Sequence, residues 1–235
     1  MDNIIINGIS SATIPGLLIQ SLAPITLPAK RVNVEEIDGR SGDSSTFLGY
    51  SAYDKKISIG LTWGYDIDEI ISYFNTSGTI IFSNEPDKYY NFELIQAINF
   101  ERLIKFRTAD VVFHVQPFKF SVDDNEKNFD IAKSTKQIAI YNAGNIYAKP
   151  AITITGVGEV GLSLNGNQIF KISMGDTPTS ITIDTVALEA YTGTTLKNRQ
   201  VVGNYENFIF KVGKNILTWS GAVTGIKIKN FSRWI

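Results

Sequence analysis

Apolar and polar residues alternate with a period of two along most of the chain, and this pattern predicts a mainly β protein. Residues 56–63 place apolar side chains on one strand face and polar or small ones on the other, and residues 111–115 repeat the pattern before Pro117. The apolar sets are Ile57/Ile59/Leu61/Trp63 and Val111/Phe113/Val115. One face of each strand is therefore expected to line a core.

A single segment, Asp66 to Phe74, has helical spacing. Asp66 can act as the N-cap, and Glu69 follows three positions later. The predicted buried face consists of Ile67, Ile70, Ile71 and Phe74. Residues 75–78, from Asn to Gly, supply the stop. Residues 14–22 fit either a kinked second helix or an extended edge piece.

The second half of the chain contains only strand signals. Asn165-Gly166 predicts a tight hairpin, because a type I′ turn needs a positive φ at both central residues. About eight strands separated by turn residues indicate a two-sheet sandwich. Besides the hairpin strands Val160–Leu164 and Ile169–Ile172, they are Ile138–Tyr141, Ala151–Thr155, Ser180–Ile183, Phe208–Val212, Ile216–Trp219 and Gly225–Lys229.

A charged, irregular stretch at residues 121–135 separates the two halves. The expected domains are therefore 1–133, which is α+β with one short helix, and 134–235, which is a β-sandwich. At 235 residues the chain is long enough for two cores.

Composition narrows the possible functions. The formal net charge of −1 gives no electrostatic reason to expect nucleic-acid or anionic-membrane binding. The absence of cysteine excludes disulfides, thiolate metal sites and a cysteine nucleophile. The first residues lack the basic start of a signal peptide, and the longest apolar runs are too short to span a membrane. Synthesis in the cytoplasm is the expectation.

The sequence gives little reason to expect a catalytic site. His114 is the only histidine and lies on a predicted strand, so a structural role is expected. Glu35-Glu36 point to opposite strand faces, and Asp123-Asp124 fit a solvated linker. Asp38 and Asp43 could meet a calcium ion, but their spacing matches no known cation loop. We predict no catalytic residue, no cofactor and no metal.

Residues 156–161 spell Gly-x-Gly-x-x-Gly, as in a dinucleotide-binding fingerprint. They lead into the predicted hairpin, so no helix N-terminus would face a pyrophosphate. Turn and bulge positions are the better interpretation of these glycines.

A series of short segments follows in a fixed order along the chain. The loop Ile37-Asp38-Gly39-Arg40-Ser41-Gly42-Asp43 comes first, followed by the 56–63 strand, the short helix and a strand ending in a turn. The later members of the series are residues 84–90 (NEPDKYY), 150–156 (PAITITG), 180–184 (SITID), 213–217 (GKNIL) and Ser220-Gly221. This ordered series resembles the distal tail proteins of long-tailed bacteriophages nearly end to end.

The resemblance implies a structural subunit rather than an enzyme. Its first domain would form a homo-hexameric ring on the tail tube, and its second would be a galectin-like sandwich outside the ring. Implied partners are the tail tube protein, the tail-tip protein and, in relatives with a long inserted arm, receptor-binding proteins. DNA would pass through the channel without specific binding. The protein would be made in the host cytoplasm and reside in the virion tail tip without membrane insertion.

The candidate interface residues are Gly39, Arg40, Gly42 and Asp43, with Arg40 expected to pair with a neighbouring subunit's carboxylate. Only about 100 residues follow the predicted boundary, so the long insertion found in some relatives is not expected in the second domain. Two alternatives stay open: a host-surface carbohydrate-binding module and, less favoured, a tail-associated wall hydrolase. The second half has no histidine of the kind true galectins use, and Trp219 is expected to be mostly buried.

Overall fold

The chain divides into two compact units in the computed structural model. The structure describes residues 2–124, 126–129, 131 and 136–235. The first unit comprises Met1–Lys119 with Ile235, and the second comprises Phe120–Trp234. The predicted domain boundary between residues 133 and 134 lies outside the described residues, so that division stays a prediction.

The first unit is a sheet with two short helices and a separate hairpin. The strands are β1 (Ile4–Ile6), β2 (Ile9–Ser10), β3 (Leu17–Ser21), β4 (Lys30–Glu36), β5 (Asp43–Tyr50), β6 (Tyr53–Leu61), β7 (Gly78–Phe82), β8 (Lys88–Glu93) and β9 (Thr108–Ser121). The helices are α1 (Ile67–Phe74) and α2 (Phe100–Phe106), and Ser11–Thr13 forms a 3-10 turn. The sheet runs in the order β2-β1-β7-β8-β9-β6-β3, and β4 pairs only with β5 in a two-stranded sheet of its own.

Helix α1 begins and ends where the sequence predicts, and its N-cap is formed. Asp66 Oδ1 accepts hydrogen bonds from the backbone N–H groups of Asp68 and Glu69 at 2.9 and 3.3 Å. The predicted buried face needs a correction, since Ile71 is 37% exposed while Tyr73 is buried. The Tyr73 hydroxyl donates to the backbone carbonyls of Ile4 and Ile9, so a polar group on the helix holds it against β1 and β2.

The structure decides three other predictions for the first half of the chain. Residues 17–21 are extended as β3 at the edge of the sheet, which decides between the two alternatives. Helix α2 was missed, because seven residues with one fully buried side chain, Leu103, give no helical period. The placement of Trp63 with Ile57 and Ile59 was wrong: β6 ends at Leu61, and Trp63 is 92% exposed.

Among the described residues of the second unit, the regular elements are strands and three 3-10 turns, at Val122–Asp124, Asn198–Gln200 and Tyr205–Asn207. Asp123 and Asp124 lie in the first of these turns. The strands are β10 (Lys127–Phe129), β11 (Gln137–Asn142), β12 (Ala151–Leu164), β13 (Asn167–Ser173), β14 (Thr179–Asp184), β15 (Glu189–Thr192), β16 (Thr195–Leu196), β17 (Val201–Gly203), β18 (Gly213–Lys229) and β19 (Arg233–Trp234).

Two long strands make this unit a curled sheet with one enclosed core. The first half of β12 pairs with β14 and its second half with β13, while β18 runs beside both halves. Buried side chains from both halves of β12, Ile152 and Leu162 among them, belong to the same core. The predicted sandwich thus arises from one hydrogen-bonded sheet that bends over the core. The predicted strands 216–219 and 225–229 are parts of β18, and residues 208–212 form only an isolated bridge at Phe210.

The bend lies at the glycines that mimic a nucleotide-binding motif. The register between β12 and β18 shifts at residues 155–161, and Gly158 has a φ of +71°. On the partner strand, Gly221 has a φ of +88°, and a Cβ there would lie 2.2 Å from the Glu159 carbonyl oxygen. The bulge interpretation is confirmed. The Asn165-Gly166 turn is confirmed as well, with φ values of +50° and +86°.

Candidate assembly surface

The predicted loop at residues 37–43 lies at the tip of an antiparallel hairpin, which we call the arm (residues 30–50). Strands β4 and β5 bond to each other from Lys30↔Tyr50 to Glu36↔Asp43. Gly39 and Gly42 have φ values of +80° and +85°, in the left-handed region that favours glycine. The Arg40 N–H donates to the Ile37 carbonyl at 3.1 Å, which closes the turn.

The four predicted interface residues are thereby brought together at one exposed tip. Gly39, Arg40 and Gly42 form the turn, and Asp43 starts β5 opposite Glu36. Within the described part of the chain, Arg40 forms no salt bridge. Their role as an interface stays a prediction.

The arm has one apolar face and one polar face, as alternation requires. Val32, Val34 and Phe47 share the first face through the pair Val32↔Phe47, and Asn33, Glu35 and Thr46 share the second. A bulge at the base leaves Leu48 unpaired opposite Arg31 and Val32.

Both faces are open to solvent. Val32, Val34 and Phe47 are about half exposed, at 48%, 50% and 52%. A lone two-stranded hairpin is marginally stable in water, and contiguous exposed apolar surface is typical of a protein–protein contact. The arm is thus a surface that a partner would stabilise by covering it.

The base of the arm is fixed to the first unit by rings and by hydrogen bonds. Phe47 contacts Tyr50 at a centroid distance of 5.1 Å, and Tyr50 contacts Phe118 on β9 at 5.7 Å. The irregular segment leading into the arm is held by Lys55 Nζ, which donates to the Pro24 carbonyl at 2.9 Å. Asn84 Nδ2 donates to the neighbouring Ala23 carbonyl at 3.0 Å. The arm therefore leaves the domain from a defined position.

Lys55 belongs to a buried polar cluster beside this segment. The Lys119 amine lies 2.9 Å from Glu85 Oε1, the Tyr90 hydroxyl donates to Glu85 Oε2, and Lys55 Nζ lies 5.0 Å from the centre of the Tyr90 ring. Lys55, Glu85 and Lys119 are each less than 10% exposed. The cluster thus buries two amines around one carboxylate, an arrangement that is costly to disrupt.

The pKa shifts follow from this burial. Burial would raise the pKa of the Glu85 carboxyl, but hydrogen bonds from Tyr90 and Lys119 outweigh it and hold that pKa below its ordinary value. Burial lowers the pKa of the Lys55 amine, and the Glu85 carboxylate offsets part of that shift.

Sequence reasoning overlooked this cluster, although a signal was present. Lys55 is in phase with Ile57 and Ile59, and Lys119 is in phase with Val115, so alternation places both lysines on buried faces. Charged residues are rarely fully buried without a partner, and their position in the pattern was therefore informative.

Groups able to carry out chemistry are sparse in the described part of the chain. His114 Nδ1 lies 2.8 Å from Asp54 Oδ1, and Gln96 donates to the other oxygen of the same carboxylate at 3.1 Å. Among the described residues no group of three or more His, Asp or Glu side chains could hold a metal ion. None of the described helices is long and apolar enough to cross a membrane.

Comparison with known proteins gives matches only at the level of structure. No protein-family model and no curated protein matches the sequence. The Dit protein of phage SPP1, a paradigm of hub adsorption apparatus in phages that infect Gram-positive bacteria, matches over 100% of both chains. Its TM-score is 0.69 at 15% identity. The chain has the Dit hub fold.

A second match supports the same fold. A chain of the phage P2 baseplate, in its activated conformation with Ca, aligns with 100% of this chain and 98% of its own length. Its TM-score is 0.55 at 11% identity. The predicted resemblance is confirmed for the fold, as is the mainly β fold class, with α2 as an addition.

Proposed function

We propose that this protein is a structural subunit of a phage tail hub. Six copies form a ring that joins the tail tube to the tip and adsorption apparatus, with an open channel for DNA. The observation that supports this function is the match to the SPP1 hub protein over the entire length of both chains. The solvent-exposed arm adds independent support, because its exposed apolar side chains would be covered by a neighbouring subunit in an assembly.

The first unit supplies the ring contact in this proposal. A closed ring needs a head-to-tail interface, in which two different patches of one subunit meet in neighbouring copies. The arm is one of those patches. A permanent contact of this kind buries on the order of 2,000 Å² or more.

The outward face of β6 and β9 suits the lining of a DNA channel. Lys56 Nζ lies 2.8 Å from Asp110 Oδ2, and His114 Nδ1 lies 2.8 Å from Asp54 Oδ1, so both basic side chains have a carboxylate beside them. Such a face offers little free positive charge to hold DNA phosphates.

The second unit serves as the outer, galectin-like domain, and receptor-binding or tip proteins attach to the assembled hub. Trp219 is 7% exposed, which confirms its predicted burial and removes the only tryptophan in the sheet core as a sugar platform. The carbohydrate-binding alternative therefore loses its best candidate residue.

Electron microscopy of the purified protein and of its virion tests the proposal. At high concentration we expect six-fold rings, and in the virion a ring of this protein at the end of the tail tube. Replacing residues 32–48 with a short turn is expected to abolish ring formation while both units stay folded. A protein that stays monomeric at every concentration and is missing from the tail tip would refute the function.

A further inference from the structure

An almost fully exposed tryptophan lies apart from the arm, in the first unit. Trp63 is 92% exposed, and Phe106 is 63% exposed at the end of α2. The guanidinium carbon of Arg107 lies 5.7 Å from the centre of the Trp63 ring and 5.0 Å from that of Tyr65. We call Trp63, Tyr65, Phe106 and Arg107 the Trp63 patch. Exposed aromatic residues combined with arginine are typical of binding hot spots.

Backbone hydrogen bonds join the segments that carry the Trp63 patch. The Thr62 N–H donates to the Gly16 carbonyl at 2.8 Å, and the Leu61 N–H donates to the Arg107 carbonyl at 3.3 Å. Gly16 has a φ of +71°, and a Cβ there would lie 2.5 Å from Tyr65 Cα. Only glycine allows the two segments to approach this closely.

Arg107 occupies a position that normally favours glycine. It is the C-cap of α2, in the left-handed conformation with a φ of +58°. Glycine or asparagine is usual there, because other side chains are strained in that region. The Arg107 side chain contacts Trp63 and Tyr65 and presents a cation at the surface. A strained residue with such contacts suggests that its side chain has a role beyond ending α2.

The charges of the Trp63 patch and of the arm are complementary. Residues 100–107 carry three cations and one carboxylate, a net charge of +2. The arm tip, residues 35–43, carries four carboxylates and Arg40, a net charge of −3. The arm also offers the apolar side chains of Val32, Val34 and Phe47 to an aromatic surface.

The two surfaces do not cover each other within one chain, since both are exposed. A contact between them requires two copies, in which the arm of one meets the Trp63 patch of the next. Such a contact uses two different patches and can repeat around a ring.

We propose that the Trp63 patch is the receptor for the arm of a second copy of this chain. This inference rests on the proposed ring. The acidic tip lies against the Arg107 side, and the apolar face of the arm covers Trp63 and Phe106.

Charge reversal on each surface tests the contact. One variant carries Arg107→Glu, and a second carries Glu36→Lys with Asp38→Lys. Each variant alone is expected to raise the concentration needed for half-assembly by about tenfold or more, as measured by sedimentation velocity. Mixing the two variants in equal amounts is expected to restore rings in which they alternate. At every second contact an unaltered arm then meets an unaltered patch, and at the others the lysines introduced at positions 36 and 38 face the glutamate introduced at position 107.

Two further variants separate assembly from folding. Arg107→Gly removes the side chain but suits the left-handed backbone, so the melting temperature is expected to hold while assembly weakens. Arg199→Glu reverses an exposed charge in the second unit and is expected to leave assembly unchanged.

The outcomes distinguish this inference from the proposed function. If both charge-reversed variants form rings as readily as the wild type does, the receptor assignment is overturned and the hub function stands. Restoration of assembly in the mixture, but in neither variant alone, would support the assignment. A wild-type protein that never assembles would overturn both.

Discussion

At the scale of single residues, the structure separates side chains that the pattern treats alike. Ile70 and Ile71 are adjacent members of the predicted apolar face of α1, yet Ile70 is fully buried and Ile71 is 37% exposed. Lys55 and Lys56 are adjacent too, and Lys55 is buried while Lys56 is paired with Asp110 on the outside. Position in the packed unit, rather than residue type, decides what each contributes.

Ile70 and Ile71 form a matched pair for a stability test. Ile70→Asp places a carboxylate in the core and is expected to prevent folding of the first unit, because a buried unpaired charge adds to the loss of about 1.5–3 kcal/mol of apolar burial. Ile71→Asp is expected to change the free energy of unfolding little. Circular dichroism melts of the two variants measure the difference. Equal melting temperatures would contradict the assignment of the buried face.

Glu85 is expected to link the stability of the first unit to pH. Its pKa is lowered in the folded state, so its stabilising effect is fully present above the unfolded pKa of about 4.3 and is lost as pH falls through the lower, folded pKa. Denaturant unfolding between pH 7 and pH 3 is expected to show this loss. Glu85→Gln is expected to flatten the dependence and to cost about 3–5 kcal/mol at pH 7 by leaving Lys119 unpaired.

The double variant Glu85→Gln with Lys119→Met is the control, since it removes both charges of the pair. It is expected to recover much of the stability lost in Glu85→Gln. If the single variant were as stable as the wild type at pH 7, the buried pair would not carry the stability assigned to it.

At the scale of elements, glycines decide where long strands bend and where hairpins turn. Gly221 lies in the bend of β18, where its φ is +88° and the Glu159 carbonyl fills the space of a Cβ. Gly213 has nearly the same φ, +87°, but has open space around the position of a Cβ. The two positions share a backbone conformation and differ in packing.

Alanine substitutions at these glycines separate the two costs. Gly213→Ala is expected to cost about 1 kcal/mol from the left-handed backbone, and Gly221→Ala about 2–4 kcal/mol because the two strands must also move apart. Chemical denaturation measures both. Similar values for the two variants would show that close strand packing adds nothing at the bend.

At the scale of the whole molecule, the exposed arm and the charged pairs on the outward face of β6 and β9 are the features that support the proposed hub subunit. The arm exposes apolar side chains that a monomer gains nothing by displaying. On the outward face of β6 and β9, Lys56 and His114 each lie beside a carboxylate. Both features agree with a ring around a channel.

The channel assignment predicts how the protein responds to DNA. The wild type is expected to show no binding to duplex DNA at low salt, measured by fluorescence anisotropy. Asp54→Lys with Asp110→Lys is expected to create salt-dependent binding, because Lys56 and His114 lose their carboxylate partners and the face becomes cationic. The same reversals at the exposed Asp176 and Glu206 of the second unit serve as the control. Equal binding by both variants would contradict the assignment.

The sequence by itself determined the features that depend on local chemistry. The α1 cap at Asp66, the Asn165-Gly166 turn, the alternating strands and the glycine loop at residues 37–43 each follow from the preferences of a few neighbouring residues. The ordered set of these segments also predicted the phage hub fold.

Only the tertiary structure decided the features that depend on distant parts of the chain. Strands 216–219 and 225–229 become one strand because β12 runs beside both, and Lys55 meets Glu85 and Lys119 because three separate segments pack together. Trp63 lies outside the core because β6 ends two residues before it. The arm is exposed because β4 and β5 pair only with each other. Residue preferences act over a few positions, whereas pairing and burial are set by the contacts of the whole unit.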